Sequence, residues 1–123
     1  MKLFKSKKKE NQLNFLELTP IQKFEHFENE ENIITIKIPK FQNSSISKFL
    51  IPKTKSEFIH VKLDKIGSMV WKSITGENNV ASICEKMVEN TSENSEDLQM
   101  RITQYLTILH KQRLIKYKEL NES

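Results

Sequence analysis

The feature that most constrains this chain is a change of apolar period at Asp64. Before it, Ile34, Ile36 and Ile38 alternate with Thr35 and Lys37, and Ile59, Val61 and Leu63 alternate with His60 and Lys62. A two-residue period puts every second side chain on one face, which is the pattern of a half-buried strand. After it, Ile66, Met69, Val70 and Ile74 fall at helical spacing, with Asp64 placed to cap the first turn and Gly76 placed to end it. The order is strands first and helices second. Strands are expected over residues 22–28, 33–38 and 58–63, the first two joined by the polar run Asn29-Glu30-Glu31-Asn32, and a bulge in the first would be needed to bury both Phe24 and Phe27.

Three helices follow in the reading: about 64–75; one capped by Asn79 and carrying Val80, Ile83, Cys84, Met87 and Val88; and the longest, opening at Ser95 and carrying Leu98, Ile102, Tyr105, Leu106 and Leu109 to about Gln112. The segment Leu114 to Lys118 fits either a helical extension or a strand. The fold class is therefore α+β, a small three-stranded antiparallel sheet followed by three helices, with the last two able to form a helix-turn-helix and the strands its wing. Residues 1–12 read as a disordered lysine-rich tail and 13–123 as one domain, with a loop from Pro39 to Pro52 folding back on the core.

Composition excludes several functions. Only Gly67 and Gly76 occur, so neither a Walker loop nor a dinucleotide fingerprint can be written. The single cysteine, Cys84, can form no internal disulfide and lies in an apolar helical pattern, which suits a reducing compartment. The net charge is +4, and residues 1–10 account for all of it with Lys2, Lys5, Lys7, Lys8 and Lys9 against Glu10. The rest of the chain is neutral, so the folded part offers no basic face for nucleic acid, and a winged-helix DNA-binding regulator is the disfavoured alternative. No apolar run has the length of a signal peptide core or a membrane span, and the expected location is the cytoplasm.

Nor does the chain present the elements of a catalyst. His26, His60 and His110 fall on three different elements without ligand spacing, and no second cysteine joins them, so no metal and no cofactor are expected. Asp64 and Asp97 are explained as helix-start residues. With no nucleophile, base and orienting acid in reach of one another, the protein is not expected to be an enzyme.

One stretch carries a resemblance. Val61-Lys62-Leu63-Asp64 leads into Gly67-Ser68-Met69-Val70-Trp71, then Thr75-Gly76, then Val80-Ala81-Ser82-Ile83-Cys84-Glu85-Lys86-Met87, and finally Tyr105-Leu106-Thr107-Ile108-Leu109 and Leu114-Ile115. This series resembles the PqqD family, small proteins of PQQ cofactor assembly, and the related recognition domains of systems that modify ribosomally made peptides; its family-like core is 58–115. Arg113 stands where the family usually carries glycine, which forecasts strain and a looser or differently turned end to the third helix. The resemblance implies a winged helix-turn-helix without chemistry of its own. It also implies a peptide-binding chaperone that recognises the leader of a precursor peptide by strand addition beside the third strand and along the third helix, and presents it to a modifying enzyme such as a radical SAM iron-sulfur protein.

On that basis the candidate peptide-binding residues are Phe58, His60 and Lys62 on the third strand and Arg101, Tyr105 and Ile108 on the third helix. Phe58 could instead cover the preceding loop, and Ile108 could pack on Tyr117 or that loop. Trp71, off the main apolar face, is either a partner anchor or a seal on the core edge. An open sheet edge could also pair with a second copy to give a homodimer, and a structural adaptor without a peptide ligand is a further alternative.

Overall fold

The computed structural model describes residues 14–40 and 58–121. The lysine-rich tail and, from residue 41, the loop expected after Pro39 lie outside the described residues. Strands β1 (Pro20–Gln22), β2 (Glu25–Glu28), β3 (Ile34–Pro39) and β4 (Phe58–Lys62) precede helices α1 (Lys65–Ser73), α2 (Val80–Glu89) and α3 (Ser95–Lys111), and a last strand, β5 (Ile115–Tyr117), follows. This is the topology of a winged helix-turn-helix, an antiparallel β2-β3-β4 sheet followed by three helices. The chain divides into two compact units, Phe24–Ser68 and a helical unit of Met1–Lys23 with Met69–Ser123.

In the sheet unit, the β2–β3 turn is held by Asn29, whose Oδ1 accepts from the amides of Glu31 (2.8 Å) and Ile33 (3.0 Å), while Asn32 takes the left-handed conformation at φ 67°. The register runs without interruption from Glu25↔Lys37 to Glu28↔Ile34, so the bulge that burial of both Phe24 and Phe27 would need is not formed. Phe27 is consequently 52% exposed. The strand expected over 22–28 is two strands, because Gln22 pairs with β5 and only Glu25–Glu28 joins the sheet.

Ile34 and Ile36 are fully buried and Leu63 nearly so, as the alternation requires. Ile59 corrects the same reading: it shares their face but is 48% exposed, because it pairs with Ile38 at the far end of the sheet from Ile34 and Leu63. At the near end Asp64 starts α1 by accepting from the Gly67 amide through Oδ1 (2.8 Å). The buried Ser68 hydroxyl then accepts from the Ile34 amide (2.8 Å), which ties helix to sheet and satisfies a donor that would otherwise be buried and unpaired.

In the helical unit, α2 and α3 begin at asparagine caps. Asn79 accepts from Ser82 N, and Asn94 accepts from Glu96 N and Asp97 N, with two acids in the first turn of α3 and His110 and Lys111 in its last. Val80, Ile83, Cys84 and Met87 are buried on α2, and Leu98, Ile102, Leu106 and Leu109 on α3, the stripes along which the two helices meet. Trp71 is fully buried, so it is core and not a partner anchor. The end of α3 is not loosened. Arg113 takes the left-handed conformation at φ 63°, and the Leu114 amide donates to the Leu109 carbonyl at 2.9 Å, closing the helix as a glycine would.

Residues 115–117 form a strand paired antiparallel with β1, Pro20 opposite Tyr117. A carboxylate clamps this pair. Glu119 accepts from the Thr19 amide and the Thr19 hydroxyl, both at 2.7 Å. Desolvation pushes the Glu119 carboxyl up, but the two Thr19 hydrogen bonds, one from its own backbone amide and the nearby Lys118 charge together outweigh it, and its pKa is lowered. A lowered folded pKa means stabilisation that is present above the unfolded value and lost as pH falls through the folded one. Acidification should therefore lower the stability of the native chain more than that of Glu119→Gln. Urea midpoints at neutral and acid pH test this, and an identical acid response in both proteins would contradict it.

Candidate functional site

The β2-β3-β4 order makes β4 an edge strand, with no strand on its outer side among the described residues. The Leu63 amide donates to the Ile34 carbonyl at 2.9 Å, and this bond fixes the phase of the ladder. In an antiparallel pair, hydrogen-bonded and non-bonded residue pairs alternate. Ile34 and Leu63 are a bonded pair, so Ile36 with Val61 and Ile38 with Ile59 are bonded too, while the pairs Thr35–Lys62, Lys37–His60 and Pro39–Phe58 are not. The Ile59, Val61 and Leu63 amides are thus directed to β3, as are the Ile59 and Val61 carbonyls, while the Ile34 amide opposite Leu63 is taken by Ser68. Phe58, His60 and Lys62 point their backbone groups to the other side of β4, where no described strand lies. Pro39, which has no amide proton, sits at a position where β4 asks for none.

The side chains of Phe58, His60 and Lys62 share one face of the sheet. There the His60 ring lies edge-on to Phe27, with centroids 5.9 Å apart, and the Lys37 ammonium stands 4.4 Å from the centre of the Phe58 ring. Glu25, directly opposite Lys37, is the carboxylate on this face. Lys62 is exposed and makes no ion pair among the described residues. The reading from sequence did not include Phe27 in the site, weighing it only for burial together with Phe24 through a bulge; an unbroken β2 register is what exposes it.

The second trio lies in the helical unit. Arg101 is engaged by Glu93 at 2.6 Å, Tyr105 is half-buried and Ile108 is 54% exposed. Spacings of four and three residues put them along one side of α3, flanking the buried stripe. Met100, 57% exposed, was not anticipated, since no periodicity distinguishes a lone methionine outside the apolar stripe. Between the turn at Phe15–Glu17, α2 and α3 lies an open cleft of about 440 Å³ lined by Leu16, Ala81, Cys84, Glu85, Val88, Glu89 and Gln99. Burial, and then the Glu85 charge, push the pKa of the Cys84 thiol up, which disfavours the thiolate.

His26, His60 and His110 lie on β2, β4 and α3, and no group of three or more His, Cys, Asp or Glu side chains among the described residues is arranged to hold a metal ion. No described helix is long and apolar enough to cross a membrane.

No curated protein and no solved structure matches the chain. One family model does, and it is described as coenzyme PQQ synthesis protein D (PqqD) and spans residues 54–115, from the approach to β4 to the start of β5. Half of the chain, including the edge strand, all three helices and the left-handed closure at Arg113, thus falls under that one model, and the protein belongs to the PqqD family, whose members are non-catalytic.

Proposed function

We propose that this chain is a recognition module for the leader segment of a ribosomally made precursor peptide, which it binds as an added strand on β4 and presents to a peptide-modifying enzyme, a radical iron-sulfur enzyme being one such partner. Family membership supports the general role of leader-peptide recognition. The observation that carries the finer reading is the outward direction of the His60 and Lys62 backbone groups, donors and acceptors that a peptide backbone can pair with. Specificity then falls to the alternate side chains on either face of the edge. On α3, Arg101, Tyr105 and Ile108 are proposed as a further contact surface, with Ile108 supplying exposed apolar area.

Affinity capture tests this. The full chain, used as bait in lysate of its native cell with a nuclease-treated control, should retain a short peptide, with or without an enzyme that modifies it. Recovery of nuclease-sensitive partners alone would contradict the proposal in favour of DNA binding, and recovery of large proteins alone would favour an adaptor.

A further inference from the structure

The edge of β4 has two chemically different sides. On one, Phe58, His60 and Lys62 stand with Phe27 and Lys37, a face of aromatic rings and cations whose one cross-strand acid, Glu25, is paired in register with Lys37 at the centre of the sheet. On the other, Ile59 and Val61 continue the apolar face, with Ile59 left 48% exposed. A strand added to the edge places its own side chains alternately on these two sides. In antiparallel addition its residues opposite Ile59 and Val61 fall in non-bonded pairs, where side chains approach most closely, and those opposite Phe58, His60 and Lys62 fall in bonded pairs.

We infer that this edge selects an extended peptide in which carboxylates opposite Lys62 and His60 alternate with aliphatic residues opposite Val61 and Ile59. The inference rests on the strand-addition reading above and adds to it the class of sequence recognised. Lys62 supplies the charge, since it is the exposed cation on the edge itself and makes no ion pair among the described residues. Lys37 stands one strand further in, beside Glu25 and over Phe58, and contributes less. Exposed ion pairs are individually modest, so each carboxylate should change affinity by about threefold and the pair by about tenfold.

Three labelled peptides, titrated against the full chain by fluorescence polarisation at low salt, test it: Gly-Glu-Leu-Asp-Val-Phe-Gly, the same with lysine in place of both acids, and the first with proline in place of the aspartate. The acidic peptide should bind about tenfold more tightly than the basic one, Lys62→Glu should remove or reverse that preference, and the proline peptide should not bind. Equal binding of the acidic and basic peptides, with no binding of the proline peptide, would overturn the selectivity and leave strand addition standing. Equal binding of the acidic and proline peptides would overturn strand addition itself. An acidic peptide that fails to bind while a peptide captured from lysate does bind would also overturn the selectivity.

Discussion

Replacing His60 with proline is expected to abolish peptide binding while leaving the chain folded, and replacing Ile59 with proline is expected to damage the fold. The two residues are neighbours on one strand, and only the ladder phase separates them. His60 directs its amide to the open edge, so proline there removes a donor that the ligand needs and the sheet does not use. Proline is tolerated on edge strands at such positions. The Ile59 amide faces Ile38 in a bonded pair, and its loss breaks the ladder. A lost central backbone bond, with the ring blocking close approach of the ligand, should weaken binding by about tenfold or more. Circular dichroism and peptide titration of both variants check this. A folded His60→Pro protein that binds peptide as the native chain does would remove β4 as the binding edge.

Trp71→Ala should carry the largest stability cost of any single change considered. Trp71 is fully buried, and its carbonyl also accepts from the Gln22 side chain at 2.9 Å, so the residue joins α1 to β1 inside the helical unit. Large-to-small truncation of a buried tryptophan costs about 3–5 kcal/mol. A small domain holds about 5–15 kcal/mol in all. The variant should therefore unfold at a much lower urea concentration, or fail to fold at ambient temperature. Trp71→Phe keeps most of the volume and should cost visibly less. If Trp71→Ala unfolds at the same urea concentration as the native chain, the tryptophan is not part of a packed core.

The two predictions also mark how much of the molecule could be read in advance. The alternation at Ile34 and Ile36 and the helical spacing on α2 and α3 identified buried faces correctly, because burial there follows local period. Capping by Asp64 and Asn79 was legible for a similar reason, since each acts within three residues of itself. Trp71 was left open between a partner anchor and a seal on the core edge, because one turn of a nine-residue helix can be buried on more than one side, which its period does not reveal; its full burial decides for the core. The assignment of Gln22 to a strand separate from Glu25–Glu28 depended on pairing with β5 from the other end of the chain, and the exposure of Phe27 on the unbroken β2–β3 register.

The candidate site shows the same division. That Phe58, His60 and Lys62 share a side of their strand follows from the two-residue period. That their backbone groups are the outward ones does not, because an alternation of side chains is compatible with either phase of the hydrogen-bond ladder. The Leu63–Ile34 bond decides it. Arg113 is a further case: the family's glycine position foretold left-handed backbone, and the arginine adopts it, because the Leu114 to Leu109 bond and the pairing of β5 hold the turn.

The most direct measurement is amide hydrogen exchange along β4 in the full chain, with and without a peptide captured from the native lysate. Ile59, Val61 and Leu63, already bonded to β3, should be protected in both states, and His60 and Lys62 should exchange freely alone and become protected only with peptide bound. Bound peptide without new protection at those two amides would contradict strand addition on β4.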